Sequence, residues 1–350
     1  MKLKLVKKIT PLTLGLAVLI AIVAYLIIIG IALYFFNAEN NYIVTKTAKI
    51  FPYPAIINSK IDFVSFGLLE KRKEAVKKFY EGQDFSDLGM RVDFSGKDGE
   101  KRFKIKEKEI LDKLIEERIA RNLAKKRDIK VTTKIADEAL TRKVQEYSSL
   151  EDLIKNIQSL YGWGIKDFKK NIVLPDLLKE NLEKFVKDNE SDFTAAKEKI
   201  NTAKEELSSG ASFELIVKKY SEGESSKNKG ELGWFAKDQI LPEISVLVFS
   251  MNKGETSQVL ESSLGYHIIN LEDKKTEDKV DLVKIRQIFV RHKNFADWLI
   301  EQKKNYNFSI PLRDFEWNKE EGRVEFSNQE LRDFESKALS NPAGDASLIF

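Results

Sequence analysis

The chain contains no cysteine. That excludes thiolate nucleophiles, disulfides, iron–sulfur clusters and zinc sites built on sulfur, and it removes nothing that export into an oxidising compartment would require. Histidine is almost as scarce: His267 and His292 are the only two, so no site that needs three imidazoles forms within one chain. H-E-x-x-H, G-x-x-x-x-G-K-[ST] and G-x-G-x-x-G are all missing, which closes the usual short-motif routes to metalloprotease, nucleotide and dinucleotide chemistry. No carboxylate cluster with metal-ligand spacing stands out, so neither a metal nor another cofactor is expected. Acidic residues are absent from positions 1–36, where Lys2, Lys4, Lys7 and Lys8 are the only charges.

Those four lysines account for the whole net charge of +4, because residues 37–350 hold 55 bases against 55 acids. A nucleic-acid binder needs a basic face on a folded domain, and the neutral remainder argues against one. With 33% charged and 42% apolar residues, the composition is neither that of a disordered chain nor that of a multi-span membrane protein. Its 350 residues suffice for two or more domains.

The one long apolar run, Leu12 to Phe36, has 25 residues without a charge. As a helix it measures about 37 Å at ~1.5 Å per residue, enough to cross a ~30 Å hydrocarbon core with tilt. A cleavable signal has an apolar region of only about 7–15 residues followed by small residues, whereas here Phe36-Asn37-Ala38-Glu39 follows. The expectation is a single transmembrane helix over 12–36 in contact with the lipid bilayer. The basic tail 1–11 is then cytoplasmic and residues 37–350 extracytoplasmic, by the positive-inside rule.

Helical periodicity dominates from Ile61 to Val186, with one-face spacings at Leu111, Leu114, Ile115, Ile119 and Leu123 and again at Leu174, Leu177, Leu178, Leu182, Phe185 and Val186. The stretch Ser95-Gly96-Lys97-Asp98-Gly99 separates the first helix from the second. A helix over 194–208 and a short one at 213–220 come next. Turn-rich texture follows at 221–230, then a short helix through Phe249 and a strand at Gly265–Leu271. The fold class is therefore α+β, with a mostly helical module over 37–188, a small α+β unit over 192–293, and a C-terminal helix and hairpin over 294–350 expected to pack back on the helical module.

Four blocks in the small unit carry a specific resemblance: Gly230-Glu231-Leu232-Gly233-Trp234-Phe235, Gln239-Ile240-Leu241-Pro242-Glu243-Ile244, Asn252-Lys253-Gly254-Glu255 and Gly265-Tyr266-His267-Ile268-Ile269. In this order they resemble the parvulin (rotamase) family of peptidyl-prolyl isomerases. Residues 61–186, with Ala124-Lys125-Lys126-Arg127-Asp128-Ile129 and the Tyr161-Gly162 turn, are similar to the helical chaperone region that precedes parvulin domains in exported foldases of the SurA/PrsA type. What the resemblance implies is a peptidyl-prolyl isomerase and folding factor acting on unfolded or proline-containing exported polypeptides.

An isomerase of this kind makes no covalent bond. It lowers the ~18–20 kcal/mol barrier to rotation about an X–Pro bond that otherwise exchanges over tens of seconds or more, and a ~10⁴-fold acceleration asks for roughly 5.5 kcal/mol of transition-state stabilisation. An apolar grip on the proline ring, low local polarity around the twisted amide and oriented hydrogen bonds to the flanking peptide are the means available. The resemblance assigns the proline pocket to Leu232, Ile240 and Ile244, with Phe249 beneath and Trp234 and Gln239 beside them. Ile240 and Ile244 stand where the family carries Met and Phe, so an aromatic wall is missing there.

The resemblance also implies two histidines on adjacent central strands. His267 matches the second. Its acidic partner is either Glu222 or Glu224, with Glu222 favoured. No strand carrying the first histidine precedes the helix at 194, but Asp281–Val290 has the right alternation and ending. The expected arrangement is a circularly permuted domain in which a hairpin over 272–280 returns this strand to the sheet and Gln287 replaces the first histidine, hydrogen bonding without titrating. Arg291-His292-Lys293 reads as an exposed strand end. Two functions stay open: an isomerase that also cradles clients, and a holdase whose parvulin unit has lost catalysis.

Overall fold

The computed structural model describes residues 11–36, 38–61, 63–144, 149–340 and 344–349; the lysines of the basic tail lie outside the described residues. Uninterrupted apolar sequence builds α1 (Pro11–Phe35), of which Leu14–Phe35 is long and apolar enough to cross a membrane. α2 (Tyr42–Ile50) is capped by the Asn41 carboxamide, which accepts the Ile43 and Val44 N–H groups. The short pair β1 (Pro54–Ile56) and β2 (Val64–Ser65) leads into α3 (Phe66–Glu81), and α4 (Gly96–Lys126) is the longest helix. The break anticipated at 95–99 falls earlier, between Glu81 and Gly96, and residues 96–99 form the first turn of α4. Then come α5 (Thr133–Val144), α6 (Leu150–Tyr161), α7 (Ile165–Phe168) and α8 (Leu174–Asn189).

α9 (Ser191–Ser208) and α10 (Phe213–Tyr220) precede β3 (Glu231–Ala236), α11 (Pro242–Ser250), β4 (Leu260–Ser262), β5 (Gly265–Glu277) and β6 (Val280–Arg291). α12 (Phe295–Lys303), the hairpin β7 (Phe315–Asn318) and β8 (Arg323–Phe326), and α13 (Gln329–Ser340) complete the order.

Two compact units result, one from the described residues up to Lys179 together with those from Ile300 onward, the other from Glu180 to Leu299. The first is helical and centred on α4, whose Leu111, Leu114, Ile115 and Ile119 are buried. The C-terminal segment joins it: Lys303, 3% exposed, donates to Asp112 Oδ2 at 2.9 Å, and Asp112 Oδ1 accepts the Val324 N–H. Lys73 and Lys104 bridge Glu39, the buried Glu107 and Asp314, so a partly buried ion-pair network ties α3, α4 and the C-terminal segment together.

The second unit is a four-stranded antiparallel sheet in the order β3-β6-β5-β4. Strand alternation sorts its side chains to two faces. Tyr266, Ile268, Ile288 and Val290 pack on Ala196, Ile200, Ala203, Ile216 and Val217 of α9 and α10. Ile269, Leu271, Val283 and Ile285 pack on Ile240, Ile244, Val248 and Met251 in and beside α11. β6, the last of the four in sequence, sits between β3 and β5. The hairpin that delivers it is tighter than the loop expected over 272–280. β5 and β6 run on until only Asp278 and Lys279 remain between them, both left-handed at φ 50° and 68°, the backbone of a two-residue turn whose twist suits antiparallel strands.

Candidate functional site

His267 lies on β5 directly opposite Phe289 of β6, and Gln287 lies opposite Ile269. Opposite residues share a face, so His267, Gln287 and Phe289 project together on the side covered by α11. His267 Nδ1 and Gln287 Oε1 are 3.2 Å apart, and His267 Nε2 is 2.7 Å from Ser262 Oγ. The carboxamide oxygen only accepts, so Nδ1 carries the proton and Nε2 accepts from the Ser262 hydroxyl. Ser262 Oγ in turn accepts the Leu264 N–H at 3.1 Å. The Phe289 ring lies 4.9 Å from the imidazole.

His267 is 4% exposed. Burial holds its pKa below the ordinary histidine value, against an opposing contribution from the Gln287 hydrogen bond. Both ring nitrogens of His267 are thus engaged, Nδ1 by Gln287 and Nε2 by Ser262. The Ser–His pair is no nucleophilic dyad. Gln287 supplies no negative charge to support an imidazolium, and Ser262 is itself 5% exposed.

Glu222 is corrected. Its carboxylate pairs with Lys199 Nζ at 2.6 Å and accepts the Arg291 N–H at 2.9 Å, which fastens the loop after α10 to the end of β6. Burial pushes its pKa up, but the bonds from Lys199 and Arg291 outweigh that and hold it below the usual carboxylate range. Glu224 pairs with Lys227 and is exposed. The partners of His267 are instead Ser262 and Gln287. Ser262 carries little sequence signal beyond preceding the Gly265 turn.

Leu232, Ile240, Ile244 and Phe249 come together with Phe235, Val248, Ile269 and Leu271, and Ile240 and Ile244 are 8% and 5% exposed. Trp234 is a further correction. It pairs opposite Lys284, whereas Phe235 pairs opposite Val283 of the apolar cluster. Alternation therefore turns Trp234 to the other face, where Lys275 sits 4.8 Å above its ring. Gln239 is used locally, accepting the Ala236 N–H at 2.8 Å. Aromatic surface on the site face of the sheet comes from Phe235 and Phe289, with Phe249 beside them from α11; the Trp234/Phe235 alternation and the two-residue Gln287/Phe289 spacing encode this once the facing is known.

His292 is not part of an exposed basic end. Its ring is 5% exposed, edge-on to Tyr266, with Nε2 3.1 Å from the Ser262 carbonyl oxygen and Nδ1 3.0 Å from that of Lys293. A polar cavity of about 410 Å³ adjoins Ser262 and His292, with Glu183, Glu243, Glu261 and Lys187 around it.

Comparison with protein families matches residues 180–273 to the rotamase family, PPIC-type PPIase domain. Residues 180–273 are a parvulin-type rotamase domain. The chain is 34% identical over 170 residues to "Foldase protein PrsA 2" of Bacillus cereus, covering 43% of this chain and 58% of that protein. It is 31% identical over 199 residues to "Foldase protein PrsA" of Bacillus subtilis, with 51% and 63% covered. With "Chaperone SurA" of Methylobacillus flagellatus it shares 30% over 125 residues, covering 34% and 29%. It thus spans less than two thirds of the length of these relatives. The rotamase match ends at Asp273, so β6, the strand that holds Gln287 at the centre of the sheet, lies outside it.

Proposed function

We propose that the chain is a membrane-anchored, extracytoplasmic peptidyl-prolyl cis-trans isomerase and folding factor for exported polypeptides. α1 is the anchor, and the unit over Glu180–Leu299 acts on proline-containing segments. Ile240, Ile244, Leu232 and Phe249 form the apolar side of the proline site, and the Ser262–His267–Gln287 network orients the floor beside it. The observation that carries this reading is that β6 brings Gln287 to His267 on the same face as that apolar cluster. An uncharged network beside apolar side chains favours a twisted amide, whose C–N bond has lost resonance and dipole, over the planar one.

A second reading is favoured by the burial of Ile240 and Ile244 together with the loss of one titratable histidine: a holdase that retains affinity for extended chains without catalysis. A protease-coupled proline isomerisation assay on the detergent-solubilised full chain separates the two. The isomerase reading expects a rate well above the uncatalysed one, lowered in Ile244→Ala protein whose circular dichroism is native. A wild-type rate equal to the buffer rate, with aggregation of a refolding client still suppressed, leaves the holdase reading.

A further inference from the structure

The burial pattern of α1 changes part-way along the helix. Every described side chain from Pro11 to Tyr25 is exposed around the full circumference. From Leu26 burial becomes one-sided: Ile29 and Leu33 are 4% and 2% exposed, while Ile27, Ile28, Ile31 and Phe35 stay exposed. α2 supplies the cover by returning along α1. The hydroxyls of Tyr25 and Thr47 meet at 2.8 Å, the Tyr53 hydroxyl donates to the Leu26 carbonyl oxygen at 2.5 Å, and the Tyr34 hydroxyl donates to that of Pro54 at 2.8 Å.

At ~1.5 Å per residue, α2 runs back about 13 Å and leaves its end, Ile50 and Phe51, level with the region of Tyr25. Both are exposed, at 74% and 40%. Charged groups stand close to that level: Lys46 is exposed and Lys49 pairs with Glu74 at 2.5 Å. A hydrocarbon core continuing to Phe36 would enclose these charges, which is costly. The bare segment from Pro11 to Tyr25 is about 22 Å long, short of a ~30 Å core. A short span draws its flanking groups toward the bilayer.

We propose that the hydrocarbon boundary on the C-terminal side of α1 lies at Tyr25 rather than at Phe36, and that the returning tip Ile50–Phe51 docks in the lipid headgroup region of the same bilayer. The occupant of this exposed apolar tip is a lipid surface. The tip adjoins the span, an aromatic and an isoleucine present apolar surface, and Lys46 one turn above suits anionic headgroups. Residues 26–36 then form a stalk that belongs to the first unit, and the anchor holds that unit against the membrane instead of tethering it loosely. This rests on the anchoring proposed above.

The absence of cysteine makes the test direct. Single substitutions Val18→Cys, Tyr42→Cys, Ile50→Cys and Phe51→Cys, all at exposed positions, carry nitroxide labels in the full chain reconstituted in phosphatidylcholine–phosphatidylglycerol vesicles. Paramagnetic accessibility to oxygen and to a water-soluble nickel chelate reads depth. The expected order is 18 in the core, 50 and 51 at the interface, and 42 in water. Labels at 50 and 51 as water-accessible as that at 42, with 18 still in the core, overturn the dock and leave the anchor standing. A label at 50 as deep as that at 18 places the boundary back near Phe36 and also overturns it. A water-accessible label at 18 removes the anchor itself.

Discussion

His267 Nδ1 and Gln287 Oε1 meet at 3.2 Å across neighbouring antiparallel strands that are close in sequence only because a two-residue turn joins them. The pair is diagonal in the ladder, His267 opposite Phe289 and Gln287 opposite Ile269, a separation that long side chains bridge.

Replacing Gln287 by Leu removes the acceptor of a buried N–H. The expected loss is about 1–3 kcal/mol of stability, read as a lower denaturant midpoint with an unchanged slope. Gln287→Glu puts an anion on the same N–H and raises the His267 pKa. With two histidines in the chain, the imidazole C–H proton resonances report that shift directly. An unchanged His267 titration in the Glu variant contradicts the contact.

Burial holds the His267 pKa below its unfolded value of ~6.5, so the unfolded chain takes up the proton first. The neutral ring contributes fully above about pH 6.5, and its contribution is lost as pH falls from there through the folded pKa. Wild-type stability minus that of His267→Asn is expected to be flat above neutrality and to decline on acidification below it. Parallel curves from pH 7.5 to 5 are the contrary result.

Gly230 immediately precedes β3 with φ +82°, and a Cβ there would stand 2.7 Å from the Gln287 carbonyl oxygen. Gly230→Ala therefore strains the backbone and presses on the central strand, at an expected cost of about 1–3 kcal/mol. The variant's melting temperature measures it.

Hydrogen–deuterium exchange tests the sheet order. Residues 283–286 pair with β3 on one side and β5 on the other, and 287–290 continue the pairing with β5, so these amides are expected among the slowest in the second unit. Loop-like exchange there, with strand-like protection confined to segments before α9, counts against a permuted sheet.

In the helical unit, Asp112→Ala leaves Lys303 buried with Glu116, 3.8 Å away, as its remaining ion-pair partner among the described residues. Breaking a buried pair from one side costs about 3–5 kcal/mol. The lower end is expected because Asp112 itself is 30% exposed, and chemical denaturation of the full chain measures the loss.

Much of this protein was decided locally. The α1 run, the helices of the first unit, the Leu232–Phe235 and Gly265–Leu271 blocks and the β6 alternation are all carried by neighbours in sequence, because periodicity and turn residues act over a few positions. Only the tertiary structure decided facing and partnership. Trp234 and Phe235 are adjacent, and which of them meets the site depends on a register set by β6. Glu222 had the right chemistry for His267, yet Lys199 and the Arg291 N–H claim its carboxylate, while Ser262, without a distinguishing pattern, takes Nε2. The apolar run likewise specified a helix but not where lipid ends. That depends on the chain folding back along α1 from residue 42, since burial against protein and burial in lipid follow the same hydrophobic preference and are told apart only by what lies alongside.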